Sequence, residues 1–150
     1  MRKARIAMAA TAAVAVGGVT MIALPADAAT LPFQITGVYY NSPGSDTRSN
    51  ASLNAEYVKI TSKFGRTVDL KGYTLRDNSS HVYTFGSVKV KGHESVWVRT
   101  GKGTNTPYTL FWGSGAYIWN NTGDKATLKD AAGKVMDTCS WTNKGSFTSC

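Results

Sequence analysis

The residues able to do acid–base chemistry are few, and they lie in turn-rich segments. The chain holds two histidines, His81 and His93, the first shortly after Asp77 and Ser80 and the second directly before Glu94. A catalytic serine needs a histidine that a carboxylate orients, and no motif of an activated serine accompanies either histidine. Segments of Asp, Asn, Ser and Gly are typical of turns, so the sequence predicts two surface histidines and no catalytic residue.

Three aspartates offer the paired carboxylates that a glycosidase uses, namely Asp124, Asp130 and Asp137. Each lies at a predicted turn or strand end beside a lysine, so we expect these carboxylates to shape turns and to form ion pairs with the neighbouring lysines. Calcium sites of the EF-hand type need clustered oxygen ligands, and no such run is present. The sequence therefore predicts no metal and no cofactor, although a loose calcium site of turn carbonyls and one aspartate stays open.

The residues best suited to binding are Trp97 and Arg99, which share one face of a predicted strand because alternate residues point to opposite sides. Lys89 and Lys91 share a face of the preceding strand. An aromatic ring beside cations can stack on a base or a sugar and cover an anionic polymer. We therefore predict a binding face of Lys89, Lys91, Trp97 and Arg99. The alternative is that Trp97 packs under a loop and that Arg99 snorkels to the surface.

The elements that must position these residues are short strands. Residues 57–77 hold two such strands joined by a polar turn, and their alternation puts Val58 and Ile60 on one face and Leu70 in the second apolar run. Downstream, runs of about five residues end repeatedly at Gly, Asn, Asp or Ser, and we expect no helix of useful length. Seven to nine short strands, roughly, are typical of an immunoglobulin-like antiparallel β-sandwich.

Two loops and one aromatic segment interrupt this pattern. Residues 41–50 form the longest turn-rich stretch, and residues 101–107 form a second loop that we expect to be mobile. Long loops often carry function, but the plain interpretation of residues 41–50 is a surface connection. Residues 108–119 hold five aromatic side chains among glycines, and we expect them to fill one end of the sandwich.

Residues 1–28 have the pattern of a cleaved secretory signal peptide: a basic start, an apolar middle and the exit Ala26-Asp-Ala28. A membrane anchor is the rival interpretation, because residues 6–24 are close to the length that spans a bilayer. Cleavage would leave residues 29–150, one domain without a partner domain and without a transmembrane anchor. It would remove three cations and one anion from the formal charge of +8, which leaves +6 spread singly along the chain. Such a basic protein lacks the dense basic segment of a dedicated nucleic-acid binder.

Both cysteines, Cys139 and Cys150, lie at the end of the chain. An even pair in an exported chain predicts a disulfide. In the chain-entropy estimate a ring of this size stabilises the fold by roughly 3 kcal/mol. We expect the bond to fasten the C-terminal tail. A zinc site is the weaker interpretation, since zinc needs four ligands and both histidines lie far upstream.

Several segments together resemble the lamin tail domain family, an immunoglobulin-like sandwich of nuclear lamins and secreted bacterial proteins. They cover most of residues 33–141 and are Glu56-Tyr-Val-Lys-Ile60, Val68-Asp-Leu-Lys-Gly-Tyr-Thr-Leu-Arg-Asp77, His81-Val-Tyr-Thr-Phe85, Ser95-Val-Trp-Val-Arg-Thr-Gly-Lys-Gly103, Leu110-Phe-Trp112, Trp119-Asn-Asn-Thr-Gly-Asp-Lys-Ala-Thr-Leu128 and Asp130-Ala-Ala-Gly-Lys-Val-Met-Asp137. The resemblance implies that Tyr73 and Leu75 are core residues. It also implies turns at Gly72 and at Gly123-Asp124.

The resemblance supplies no catalytic residue. It implies an interaction module, because lamin tails contact other proteins and DNA, and in bacteria the domain accompanies secreted nucleases and other hydrolases. We therefore expect a secreted, non-catalytic binding module that recognises an extracellular protein or an anionic polymer, either nucleic acid or a cell-envelope polymer. The alternative is a structural or protective extracellular protein without a polymer ligand, and a hydrolase is the third and weakest hypothesis.

Overall fold

Short strands dominate the computed structural model, which describes residues 30–150; the predicted signal peptide, residues 1–28, lies outside the described residues. One short helix interrupts the strands. The elements are β1 (Phe33–Tyr39), α1 (Asn50–Ala55), β2 (Tyr57–Ser62), β3 (Val68–Asp69), β4 (Thr74–Arg76), β5 (Val82–Thr84), β6 (Lys89–Val90), β7 (Ser95–Arg99), β8 (Thr109–Phe111), β9 (Gly123–Lys129), β10 (Val135–Thr142) and β11 (Phe147–Ser149).

The strands form a five-stranded sheet, β11-β1-β2-β7-β8, a four-stranded sheet, β10-β9-β4-β5, and a two-stranded ribbon, β3-β6. The immunoglobulin-like β-sandwich is confirmed, with one departure from the antiparallel prediction: β8 pairs with β7 in parallel. The described strands outnumber the seven to nine expected, because several are pieces of only two or three residues. The two strands at 57–77 do not pair with each other, since β2 lies between β1 and β7 while β3 pairs with β6.

The core lies between the two larger sheets and takes one face of each strand. Val58, Ile60, Leu70 and Leu75 are fully buried in it. Tyr73 is only partly buried and packs its ring edge-on against Phe33, with the ring centroids 5.5 Å apart. Alternation along β2 therefore gives the two faces that its sequence indicates, one in the core and one facing outward.

Aromatic rings fill one end of the sandwich. Trp119 is buried and packs edge-on against Trp112 and Trp141, and Trp141 stacks on Tyr40 with the centroids 5.0 Å apart. The indole nitrogen of Trp141 donates to the carbonyl of Asn120, which satisfies a polar group that burial would otherwise leave costly. The expectation that this aromatic segment belongs to the interior is confirmed for Trp119.

No helix of useful length was expected, and the described residues contain one short helix, α1, which begins at the last residue of the predicted loop 41–50. Its first turn is capped by Ser49, whose hydroxyl accepts a hydrogen bond from the Ser52 amide, and serine is among the preferred capping residues. Leu53 is the one residue of α1 that is buried. Six residues are too few to show a helical period, so only the cap carried a signal in the sequence.

The disulfide between Cys139 and Cys150 is confirmed, with the two Cα atoms 5.9 Å apart. Cys139 is buried on β10 of the four-stranded sheet, and Cys150 directly follows β11 of the five-stranded sheet. The bond therefore connects the two sheets. The tail that it fastens is itself a strand, since β11 pairs with β1.

Candidate functional site

The outward side of the five-stranded sheet carries a group of aromatic and cationic side chains. We call it the aromatic face, and its residues are Tyr39, Tyr57, Lys59, Trp97, Arg99 and Phe147. The first five alternate with buried neighbours on β1, β2 and β7 and are partly exposed, while Phe147 on β11 keeps 46% of its surface accessible. Their outward direction follows from the strand period of two.

Strand register sets the cations of this face beside its rings. Lys59 lies directly opposite Trp97 across the β2–β7 pair, and its Nζ is 5.4 Å from the Trp97 ring centroid. Arg99 lies opposite Tyr57, with its guanidinium carbon 5.7 Å from that ring centroid. Both distances are within the range of cation–π attraction. Each cation therefore lies over an aromatic ring, and none of the six residues of the face is acidic.

The aromatic row continues onto β1 and β11. Tyr39 lies opposite Tyr57, and the two rings stack with centroids 5.7 Å apart and planes 24° from parallel. The Phe147 ring lies over Gly37, where a side chain would collide: a Cβ there would be 2.7 Å from Phe147 Cζ. The glycine thus lets Phe147 reach Tyr39, at a centroid distance of 6.3 Å.

Hydroxyl groups form a second row across the same three strands. The Thr61 hydroxyl is 2.8 Å from that of Thr36 and 2.8 Å from that of Ser95, so the three form one hydrogen-bonded chain. Such groups can both donate and accept. The outward side of the sheet therefore offers rings, cations and hydroxyls to one flat ligand.

The four predicted binding residues do not share one surface. Trp97 and Arg99 are on the aromatic face, whereas Lys89 and Lys91 belong to the region of β6, which pairs with β3 and lies outside the sheet of β7. Lys89 instead lines a groove of about 530 Å³ with Tyr83 and Leu110 among others. The Arg99 guanidinium also donates to the Asn54 carbonyl at the end of α1, so part of its role is structural.

Sequence reasoning missed Tyr39, Tyr57 and Lys59 as binding candidates. The alternation of β2 already put Tyr57 and Lys59 on the face opposite Val58. What the sequence did not contain was the pairing of β2 with β7, which brings Lys59 to Trp97. Pairings between distant segments depend on tertiary packing and leave little local signal.

The histidine at the β4–β5 turn does not make a catalytic triad with its neighbours. His81 Nδ1 is 2.6 Å from Asp77 Oδ2, and the Ser79 hydroxyl donates to the same carboxylate oxygen. In a triad the serine bonds to the ring nitrogen opposite the carboxylate. Ser79 is instead 3.5 Å from Nδ1 itself, so these residues form a hydrogen-bonded turn.

The carboxylate of Asp77 stays ionised in this turn. Burial by itself would raise the pKa of Asp77, but hydrogen bonds from His81 and Ser79 outweigh it and lower the pKa below its usual value. The backbone amides of Ser79 and His81 donate to its other oxygen. Both carboxylate oxygens of Asp77 therefore have hydrogen-bond partners within the turn, and the side chain shapes that turn.

The predicted ion pairs of the other aspartates are wrong, because backbone amides occupy their carboxylates. Asp124 accepts from the amides of Asn78, Asn120 and Lys125, and Asp130 accepts from those of Ala132 and Lys134. Across residues 30–150 the only contact within 4.0 Å between a carboxylate and a basic side chain is that of Asp77 with His81. The prediction that the aspartates shape turns is correct for Asp124 and Asp130. It is wrong for Asp137, which lies within β10 and accepts a hydrogen bond from the Ile35 amide of β1.

Glu56 is the most deeply buried carboxylate of the described residues, and no cation lies within ion-pair distance of it. Glu56 is fully buried at the start of β2, and its Oε2 accepts hydrogen bonds from the Thr100 hydroxyl at 2.9 Å and the Ile118 amide at 3.2 Å. Its Oε1 has no partner among the described residues. Burial is the dominant cause that raises the pKa of Glu56 from 4.5 to about 7.

In residues 30–150 no cluster of three or more His, Cys, Asp or Glu side chains could hold a metal ion. The same part of the chain has no helix both long enough and apolar enough to cross a bilayer.

Comparison with known families decides what this sandwich is. Residues 26–143 match the Lamin Tail Domain, which is well over half of the chain. The chain belongs to the lamin tail domain family. No curated protein matches its sequence. The lamin tail domain is an interaction module of a non-catalytic type, and in this member the match ends before β11 and Cys150, so both lie outside the part shared with the family model.

Proposed function

We propose that this lamin tail domain is an exported, non-catalytic binding module that holds an anionic polymer on its aromatic face. Export is supported by the basic-then-apolar N-terminal pattern and by the disulfide, a bond that persists in oxidising compartments. The single observation that carries the choice of surface is the register of Lys59 over Trp97 beside Arg99 over Tyr57.

A flat, charged polymer fits this arrangement for two reasons. Each exposed ring can stack on a base, worth about 1–3 kcal/mol per base and largely independent of sequence. Lys59 lies over the Trp97 ring and Arg99 over the Tyr57 ring, so both cations are within reach of phosphates that link units bound on this face. Single-stranded nucleic acid is the polymer that offers both features, because its bases are free to leave their neighbours.

A protein partner on the same face is the second candidate. It is favoured by Phe147, a large apolar side chain that is 46% exposed. The face also contains Tyr, Trp and Arg side chains, the residue types that contribute most binding energy at protein interfaces. Such a partner would bury Phe147 and need not respond to salt. A structural protein without a polymer ligand is the remaining alternative.

The test is binding of a fluorescent single-stranded 20-mer, with a duplex of the same sequence beside it, titrated from about 0.05 to 0.15 M salt. We expect the single strand to bind more tightly than the duplex and to remain bound at the higher salt concentration. Trp97→Ala should weaken binding about tenfold, as expected from the loss of one stacking platform. Lys59→Gln should lower the salt slope by about 0.7, the value for one phosphate contact on a single strand.

The matched control is Lys71→Gln, which removes the same charge from an exposed turn away from the aromatic face. It should change neither the affinity nor the slope by a measurable amount. Equal effects of Lys59→Gln and Lys71→Gln would mean that binding arises from the overall positive charge of the protein and not from the aromatic face. Binding that is absent at 0.15 M salt would reject the polymer proposal and favour the protein partner.

A further inference from the structure

The opposite sheet of the sandwich carries a second basic surface that the aromatic face does not include. We call it the cationic groove, and its residues are Arg76, Lys125, Thr127, Lys129 and Thr138. They line a groove of about 360 Å³ on the outward side of the four-stranded sheet, together with Asp77, Asn78, Ser79 and Val135. Basic side chains are spread singly through the sequence, so it is the fold that brings Arg76, Lys125 and Lys129 together.

Strand register centres the groove on Thr127. Arg76 lies directly opposite Thr127 across the β4–β9 pair, and Thr138 lies opposite it across the β9–β10 pair. Neighbouring strands are about 4.8 Å apart, and Lys125 and Lys129 are each about 6.6 Å from Thr127 along β9 on the same side. Three cations and two hydroxyls therefore surround one point, and their positions are set by continuous strands.

The cations of the groove have no counter-ion within the chain that the structure describes. Arg76, Lys125 and Lys129 all lie more than 4.0 Å from every carboxylate in residues 30–150. The acids next in sequence to the three cations are Asp77, Asp124 and Asp130, and Asp77 also lines the groove. Hydrogen bonds from backbone amides and from the His81–Ser79 turn occupy these carboxylates. Their negative charges weaken the positive potential of the groove, but the three cations remain available to a ligand.

We propose that the cationic groove binds a phosphate group of a phosphate-bearing ligand, independently of the aromatic face. An arginine guanidinium bonds a tetrahedral oxyanion through two parallel N–H donors, and a lysine contributes a mobile point charge. Arg76 supplies the first, Lys125 and Lys129 the second, and the hydroxyls of Thr127 and Thr138 can donate to the remaining oxygens. A small phosphate-bearing molecule and one unit of a phosphodiester or polyphosphate chain both present this group.

The test follows the amide signals of the purified, isotope-labelled protein during titration with inorganic pyrophosphate, against sodium chloride at matched ionic strength. We expect saturable shifts at Arg76, Thr127 and Thr138 and a rise in the unfolding temperature that chloride does not reproduce. A polyphosphate of about 15 units is the second probe. A gain of tenfold or more over pyrophosphate indicates a polymer ligand, and equal affinity indicates a small phosphate; both support the groove.

Two double variants with the same charge change make the control. Lys125→Gln with Lys129→Gln should weaken pyrophosphate binding about tenfold, as expected for losing charge-assisted contacts. Lys91→Gln with Lys144→Gln, at exposed positions outside the groove, should change it less than twofold. Equal losses in the two variants, or shifts that chloride reproduces, would overturn the proposal.

Trp97→Ala separates this inference from the proposed function, because it removes a ring of the aromatic face and leaves the groove intact. Pyrophosphate affinity should stay unchanged in Trp97→Ala while single-strand binding falls. Loss of pyrophosphate binding in Trp97→Ala would show that phosphate is held on the aromatic face and that the groove is not a separate site.

Discussion

At the scale of single residues, Glu56 is a carboxylate whose buried surroundings disfavour its charged form. It joins three parts of the chain, since β2 begins beside it while Thr100 and Ile118 donate to one carboxylate oxygen. The other oxygen has no partner among the described residues, and the Trp119 indole nitrogen is likewise unpartnered. Ionising Glu56 therefore leaves a buried charge without a cation, which is costly.

Stability should fall with rising pH because of Glu56. Its pKa is about 7 in the folded protein against 4.5 as the ordinary value, so the folded state holds the proton more tightly. The stabilisation is complete below pH 4.5 and is lost as the pH rises through 7. At 1.36 kcal/mol per pKa unit, the loss is about 3 kcal/mol.

The measurement is the free energy of unfolding in urea at pH 5 and pH 8 for the wild type and Glu56→Gln. The neutral amide keeps an acceptor for Thr100 and Ile118, so we expect the variant to lose most of the downward slope. Asp69 and Asp77 have lowered pKa values, so their titration lowers the stability at acid pH. This effect is the same in the wild type and in Glu56→Gln, so the difference between the two proteins does not contain it. An unchanged slope in Glu56→Gln would place the titration elsewhere.

At the scale of elements, α1 holds the loop that follows β7. Asn50 accepts a hydrogen bond from the Lys102 amide at 2.7 Å, and the side-chain amides of Asn50 and Asn54 both donate to the Lys102 carbonyl. Gly101 lets the chain pass this close, because a Cβ there would be 2.6 Å from the side-chain oxygens of both asparagines. The loop that the sequence predicts to be mobile is therefore clamped at its first residues.

Gly101→Ala should break this clamp. The added methyl group forces Asn50 and Asn54 away from Lys102, and we expect a loss of about 1–3 kcal/mol, the range for overpacking a filled site. Hydrogen exchange at the Lys102 amide should accelerate at the same time. Gly86→Ala is the matched control, because a Cβ at Gly86 meets nothing within 4 Å. Equal stability of the two variants would contradict the clamp.

The sequence predicts which segments form strands better than it predicts which strands pair with each other. Period-two alternation identified the buried side of β2, and runs that end at turn residues indicated short strands, because both signals are local. The partners of Trp97 were not predictable: Lys59 reaches it from a strand nearly forty residues earlier, while Lys89, closer in sequence, lies outside that sheet. Helix α1 was missed because its signal is one serine cap.

The same limit applies to the candidate sites. Trp97 and Arg99 were predicted from their types and spacing, but the rest of the aromatic face depends on which strands lie side by side. The cationic groove shows this most clearly, because Arg76 and Lys129 come from β4 and β9 and meet around Thr127 only through sheet register. Charges spread singly along the chain predict a diffuse field until the fold gathers them.

At the scale of the whole molecule, one covalent bond connects the two sheets and the candidate surface. Cys139 anchors Cys150, and β11 directly before Cys150 carries Phe147 onto the aromatic face. β11 is an edge strand of three residues, and among the described strands its partner is β1, so the disulfide supplements that pairing and the contacts of Phe147. The disulfide should therefore matter for binding as well as for stability.

Removing the bond with Cys139→Ala and Cys150→Ala should lower the free energy of unfolding by about 3 kcal/mol, the estimate for a ring of this size. It should also release Phe147 from Gly37 and Tyr39, so polymer affinity falls even under conditions where the sandwich remains folded. Phe147→Ala with the disulfide intact separates the two effects, because it removes the ring and keeps the tether. If the cysteine variant loses stability but binds the single strand as the wild type does, β11 fastens the fold and takes no part in the binding surface. If both variants lose affinity equally, the bond contributes to binding by holding Phe147 over Gly37.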